Sequence, residues 1–292
     1  MKEGQSSRTA LAAAALRANH FQNTADPVFA DPYAYAFTSR AWQKLLRSPL
    51  LLTVMNSSIL NRTLGLLSAQ VVGRSRYAED LLQQALARQM NQYVLVGAGL
   101  DSFALRQNPH SPDLKIFEID HPDTQATKRQ KLQQLGTVPA TVEFVAIDFE
   151  KESLADALAR SSYQQTEPGF FSWLGTTHYL EPQTTLKTLE SIVSFAAPGS
   201  EVVLDYSIHY QELQGVERVG CFAVSKFTQF LNEPLFGQFR PAQLHQAVEK
   251  MGFEVVEDLS GAAISARYFN QRADHIRHTS ATHLLHLRLA SR

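Results

Sequence analysis

Cysteine, net charge and long apolar runs are all scarce in this sequence. A lone cysteine, Cys221, among 292 residues excludes an intramolecular disulfide. No Cys/His spacing resembles a zinc cage, so no metal site is expected. Basic and acidic side chains number 27 and 28, a formal net charge of −1, which leaves no field to hold a nucleic-acid backbone or an anionic membrane. No apolar run approaches the roughly 18 residues that a bilayer span requires. Lys2 and Arg8 ahead of apolar residues 10–16 look like the start of a signal peptide, but the run is short and mostly alanine, and Arg17 closes it in place of a small-residue cleavage site. It reads as a helix, and the chain as cytoplasmic. What is present is globular material, 44% apolar, enough at this length for one large domain or two.

Residues 1–90 read as helical. Ser6, Ser7 and Thr9 offer cap hydroxyls ahead of the alanine-rich stretch, proline breaks the chain after Asp26 and Asp31, and helical patterns follow over 49–68 and 75–89. From Tyr93 the period changes. Tyr93-Val94-Leu95-Val96 is a short apolar run closed by Gly97-Ala98-Gly99, and similar runs recur at 115–119, 142–147, 170–174 and 202–204. Helical segments near 122–135, 152–160 and 183–197 separate them. After Asp205 comes an irregular or helical insertion to about Arg240, then a helix over 241–251, a strand over 253–257, a connection and a strand over 282–289. Strand alternating with helix at this spacing predicts an α/β fold, a doubly wound, seven-stranded, mostly parallel sheet.

In such a sheet, ligands bind beyond the carboxyl ends of the strands, where the strand order reverses. Three features fall there. Gly97-Ala98-Gly99 lets the backbone turn sharply and approach a ligand closely. Asp120, 23 residues past Gly97, closes the second strand where a carboxylate accepts both ribose hydroxyls of an adenosine cofactor. Asp148-Phe149 closes the third strand with an acceptor for an exocyclic amine and a ring for adenine. Each feature alone has an ordinary alternative: a turn, a helix cap, a core ring. A dinucleotide fingerprint would want a third small residue, normally glycine, where Ser102 stands, and Asp101 would crowd a pyrophosphate. S-adenosyl-L-methionine carries no phosphate, so methyl transfer suits the loop better than hydride transfer by an NAD-dependent oxidoreductase.

At this point the residues resemble a family. Ser7-Arg8-Thr9-Ala10 with Leu16-Arg17-Ala18, Asp26-Pro27 with Asp31-Pro32-Tyr33, and Arg74-Ser75-Arg76-Tyr77 with Asp80 resemble the N-terminal region of the leucine carboxyl methyltransferase-like superfamily of class I methyltransferases. Val96-Gly97-Ala98-Gly99-Leu100-Asp101-Ser102 and Phe117-Glu118-Ile119-Asp120-His121-Pro122 resemble its two cofactor motifs, and Lys128-Arg129 follows as in the family. The similarity continues through Tyr179-Leu180, Ala197-Pro198-Gly199-Ser200, Asn232-Glu233-Pro234 and Gly252-Phe253 to Ala266-Arg267-Tyr268-Phe269. It implies one Rossmann-like domain over 1–292, with a helical cover (1–90), a cofactor half (91–206), an insertion or lid (207–240) and C-terminal helix and strands (241–292). It implies that Arg17 and Arg74 hold the methionine carboxylate, that Gly97 to Gly99 line the methionyl part, that Asp120 binds ribose, and that Asp148 and Phe149 bind adenine. Trp173 and Leu174 are expected against the cofactor, although carboxyl methyltransferases of the family often carry glutamate where Leu174 stands.

A carboxylate acceptor needs no base, whereas a hydroxyl does. His178 is the candidate base after the fourth strand, with Tyr179 beside it to hydrogen-bond the acceptor. Tyr206, His209 and Tyr210 follow the fifth strand and are expected to line an acceptor pocket with the aromatic-rich insertion (Phe222, Phe227, Phe230, Phe236, Phe239). The resulting expectation is O-methylation of a small natural-product-like or peptidyl acceptor. A cofactor-binding scaffold without transfer is the non-enzymatic alternative.

Overall fold

A computed structural model describes residues 8–55, 57, 64–107, 113–136, 140–149, 151–215, 218–219 and 236–291. Among the described residues, five helices precede the sheet: α1 (Arg8–Asn23), α2 (Ala34–Phe37), α3 (Arg40–Leu46), α4 (Pro49–Met55) and α5 (Leu64–Ala87). The alternating part then runs β1 (Gln92–Val96), α6 (Phe103–Arg106), β2 (Lys115–Asp120), α7 (Pro122–Gln134), β3 (Val142–Ala146), α8 (Leu154–Ala159), β4 (Phe170–Trp173), α9 (Pro182–Phe195) and β5 (Glu201–Ile208). It ends with β6 (Gln238–Phe239), α10 (Pro241–Met251), β7 (Phe253–Leu259), α11 (Gly261–Tyr268) and β8 (Thr282–Leu289).

The strand order is β3-β2-β1-β4-β5-β8-β7, parallel except for β8, which runs antiparallel between β5 and β7. This is the expected doubly wound sheet. The two-residue β6 adds an eighth strand, pairing Ser207 and Ile208 of β5 with Gln238 and Phe239. The chain leaves β1 toward β2 and β3 and returns to β4 on β1's other side, so the switch point lies between β1 and β4.

Side-chain alternation along the strands builds two cores. Val94, Val96, Phe117, Phe171, Trp173, Val202, Leu204 and Tyr206 pack beneath α8, α9 and α10. Tyr93, Leu95, Ile116, Phe170, Val203 and Leu284 pack beneath α5, α6 and α11. Each such apolar side chain, wholly withdrawn from water, contributes roughly 1.5–3 kcal/mol before entropy.

Some boundaries differ from the sequence expectation. The helix expected over 75–89 starts earlier, at Leu64, and the pattern over 49–68 resolves into α4 and the start of α5. Gly73 lies inside α5, where Phe269 Cε2 would sit 3.2 Å from an added Cβ, so tertiary packing holds glycine in the helix. The connection before β8 contains α11, capped by Ser260 accepting from Ala263 N. Most of the expected insertion, with Cys221, Phe222, Phe227 and Phe230, lies outside the described residues, as do Ser6 and Ser7. Thr9 lies inside α1.

Candidate active site

The loops after β1 and β4 meet at the switch point. Gly97 has φ +69°, and an added Cβ would fall 2.6 Å from Thr176 Cγ2, so only glycine fits beneath the β4 loop. The Gly97 and Ala98 amides donate to the Ile119 carbonyl, which binds the loop to β2. Asp120 ends β2 with its carboxylate turned back: Oδ2 accepts from Gly99 N, and Oδ1 from His121 N at 2.6 Å. Burial pushes its carboxyl up despite those two amides. Beneath, Lys128 of α7 is buried against Glu118 of β2, and Arg129 lies over the Phe144 ring.

Arg74 of α5 meets the switch point from the cover. Its Nη1 donates to Asp205 Oδ2 at 2.9 Å, and its guanidinium occupies the space over Gly175, where an added Cβ would lie 2.5 Å from Nη2. Asp205 is wholly buried in β5 and accepts twice more, from Gly175 N at 2.6 Å and from His178 Nε2 at 2.9 Å. Burial alone would raise the Asp205 carboxyl, but His178 and Arg74 hold it well below the usual range. An ionised Asp205 fixes the proton of His178 on Nε2, and Nδ1 then accepts from Ser207 Oγ at 2.8 Å. The expected base therefore has both ring nitrogens occupied, and it is only 5% exposed. Thr177 Oγ1 bonds the Asp205 carbonyl and completes the junction.

Arg17 is placed otherwise. Its Nε donates to Asp31 Oδ2 at 2.8 Å and its Nη2 to the Leu100 carbonyl at 2.7 Å. Asp31 also accepts from Ser102 Oγ at 2.6 Å, and Ser102 in turn accepts from Arg106 Nε at 2.8 Å. Arg106 closes the set with two bonds to Glu79 of α5. Ala10 of α1 stands 3.5 Å from an added Cβ at Gly99, so the helix lies directly on the glycine loop.

The structure separates other expected residues. Trp173 is 1% exposed and belongs to the core beneath α8 and α9, because it lies on the opposite strand face from Ser172. Leu174 is half-buried against the α5 core. Tyr206 is also turned away: it neighbours Asp205 in β5, faces α10, and donates to Asp258 Oδ2 at 2.7 Å. That carboxylate also meets His245 and His283. Tyr179 is half-exposed at the carboxyl end of β4, near its boundary with the Gly237 turn, where Gly237 N donates to the His178 carbonyl at 3.1 Å. His209 and Tyr210 stack at 4.7 Å beyond β5, and Arg218 lies over the Tyr210 ring. Asp148 pairs with Lys151 at 2.8 Å, and Phe149 packs against the core edge. Among the described residues no group of His, Cys, Asp and Glu could hold a metal, and no helix is long and apolar enough to cross a membrane.

Sequence reasoning passed over Asp205, Asp31 and Ser207. A carboxylate closing the apolar run Val202-Val203-Leu204 was the available signal, since a charge on a covered strand requires a partner.

This fold and switch-point seat define a class I methyltransferase architecture, and comparison with known proteins agrees. The family model described as Leucine carboxyl methyltransferase matches residues 10–193, and the chain belongs to that family. YktD of Bacillus subtilis, provisionally named an S-adenosyl-L-methionine-dependent methyltransferase, is 30% identical over 221 residues, covering 75% of this chain and 72% of that protein. A Parafrankia relative, Franean1_4929, with the same provisional name is 31% identical over 198 residues, covering 68% of this chain but 62% of its own length. A methyltransferase-like crystal structure from Thermobifida fusca superposes with a TM-score of 0.61 at 12% identity, covering 99% of this chain and 97% of that one, a likeness of fold. The chain is an S-adenosyl-L-methionine-dependent methyltransferase, and no relative supports the oxidoreductase alternative.

Proposed function

We propose that this methyltransferase transfers its methyl group to oxygen on a small natural-product-like or peptidyl acceptor, with a carboxylate oxygen favoured over a hydroxyl. The observation that carries the preference is His178: with Nε2 on Asp205 and Nδ1 on Ser207, it offers no bare nitrogen to take a hydroxyl proton. A carboxylate nucleophile arrives already ionised and asks for none. Half-exposed rings at the carboxyl ends of β4 and β5, Tyr179, Tyr210 and Phe236, suit a partly apolar acceptor, and Arg218 beside Tyr210 suits an anionic one.

The donor set fits the cofactor. Thr176 Oγ1 is buried without a hydrogen-bond partner against Gly97, in a cradle that a Cβ would fill. Arg74 Nε and Nη2 make no hydrogen bond to the described residues, so a cation and a hydroxyl converge where a carboxylate would sit. Asp120 retains lone pairs for ribose hydroxyls beyond its two amide bonds, and Asp148 with Phe149 stands at the end of the next strand for adenine. When bound, S-adenosyl-L-methionine supplies an activated methyl group on a sulfonium. The protein's part is to hold both reactants in line and to exclude water, for which orientation alone is worth roughly 7–11 kcal/mol. Treating residues 1–292 as one methyltransferase unit is supported by α1 and α5, which both reach the switch point. A cytoplasmic setting with no nucleic-acid partner completes the reading.

Calorimetry with S-adenosylhomocysteine tests it, together with transfer of labelled methyl to a panel of aromatic carboxylic acids and phenols. A 1:1 complex that Asp120→Ala abolishes, and label on carboxylic acids as methyl esters that alkali cleaves, are expected. Label confined to phenols overturns the carboxylate preference; tight binding with no labelled product from any acceptor favours the scaffold alternative.

A further inference from the structure

Arg74 could reach the switch point in many rotamers, and freezing a long cationic side chain on binding costs conformational entropy. The structure has already met that cost. The guanidinium is fixed on one side by Asp205, and below by the bare Cα of Gly175, whose φ of +78° is a left-handed conformation that glycine adopts without strain. Asp205 is in turn fixed by Gly175 N and by His178, and His178 by Ser207. Every link is between 2.6 and 2.9 Å, and Asp205 is wholly buried. The chain of contacts joins α5, the β4 loop and β5, three elements distant in sequence, on one carboxylate. Such a second layer sets the aim of a binding group and lowers the ordering cost at the moment of binding.

We infer that Asp205 and His178 are positioning residues that aim Arg74 at the carboxylate of the bound cofactor, so that His178 serves binding through Arg74 instead of removing a proton from the acceptor. The inference rests on the methyltransferase reading above. It also divides the two family arginines: Arg17, spent on Asp31 and the Leu100 carbonyl, steadies the loop, and Arg74 alone of the two takes the ligand.

Two probes separate this role from a merely structural one. S-adenosylhomocysteine carries the amino-acid carboxylate; 5′-methylthioadenosine keeps the adenosine and sulfur but lacks it. Calorimetry of the full chain with each probe is expected to show Asp205→Asn and His178→Gln weakening S-adenosylhomocysteine about tenfold or more, with 5′-methylthioadenosine changed by less than about twofold. Because Asp205 acts through Arg74, adding Asp205→Asn to Arg74→Ala should cost nothing further. Equal losses for both probes, or additive losses in the double variant, overturn the inference. Should Asp205→Asn fail to fold, His178→Gln carries the same comparison. Wild-type protein that binds neither probe removes the cofactor reading itself, whereas binding with unchanged variants removes only the positioning role.

Discussion

Two arginines from the helical cover meet two buried aspartates at the carboxyl end of the sheet, and the two pairs are built for different work. Arg17 and Asp31 belong to a wide network: Arg17 bonds Asp31 and the Leu100 carbonyl, Asp31 takes Ser102, and Arg106 joins Ser102 to Glu79, so α1 is bound to the glycine loop. Arg74 and Asp205 are closed on one side only. Asp205 is saturated by Gly175 and His178, while the guanidinium keeps donors in reserve beside the unpartnered Thr176 hydroxyl. The lesson is that an ion pair's function lies in what it leaves unsatisfied. A buried pair tied into a wide network fixes geometry; one whose guanidinium keeps donors in reserve over a glycine suits the ligand role proposed above.

The comparison breaks most visibly at Arg17. Arg17→Ala removes the cation bonded to buried Asp31, leaving it Ser102 Oγ, Tyr33 N and Arg106 at 3.8 Å, and also cuts α1 from the Leu100 carbonyl, a loss of about 1–3 kcal/mol. Urea unfolding should show that loss, and Asp31→Asn added to it should recover part. Arg74→Ala should cost less stability, because it breaks one hydrogen bond where Arg17→Ala breaks two, yet reduce S-adenosylhomocysteine affinity by about 10–100-fold. If Arg17→Ala and Arg74→Ala proved equal in both measurements, the division of labour would be wrong.

A pH titration sharpens the contrast, since each pair has a buried histidine nearby. His20 of α1 is lowered to about 4 by burial first and then by Arg272, and its Nε2 accepts from Val28 N at 2.9 Å. His278, near Arg74 and Asp205, is lowered to about 4 mainly by burial. Both bind a proton more readily in the unfolded chain, whose value is near 6.5. Stability is therefore full above about pH 6.5, falls as pH drops toward 4, and levels off below it with respect to these two groups. His278→Gln should flatten part of that slope in urea midpoints measured across this window; an unchanged slope would refute its contribution.

The alternation of strands and helices was legible because apolar runs ended in glycine or aspartate at the carboxyl edge, and those punctuating residues sit where the ligand rule places them. Side-chain direction was not legible. In a sheet covered on both faces the runs are continuously apolar, so nothing local reveals that Trp173 and Tyr206 face α8 to α10 while Asp205 faces α5. Nor does spacing reveal a partnership such as Arg74 with Asp205, 131 residues apart. The partners of His178 were hidden for the same reason: they lie 27 and 29 residues away on β5.

The smallest effect is expected at Gly73, which also tests why α5 looked like two helices in sequence. Alanine would gain about 1 kcal/mol of helix propensity at this interior position. Its Cβ would press on Phe269 at 3.2 Å and on His278 at 3.4 Å, both attached to segments that cover the Arg74 side of the sheet. The two terms oppose, so Gly73→Ala should shift stability by less than about 1 kcal/mol in either direction. A tight contact transmitted through His278 toward the Arg74 pair would instead appear as weaker S-adenosylhomocysteine binding at unchanged stability. Affinity within about twofold of wild type, with a small change in urea midpoint, places Gly73 in the cover and leaves ligand binding to the neighbour one residue along the helix.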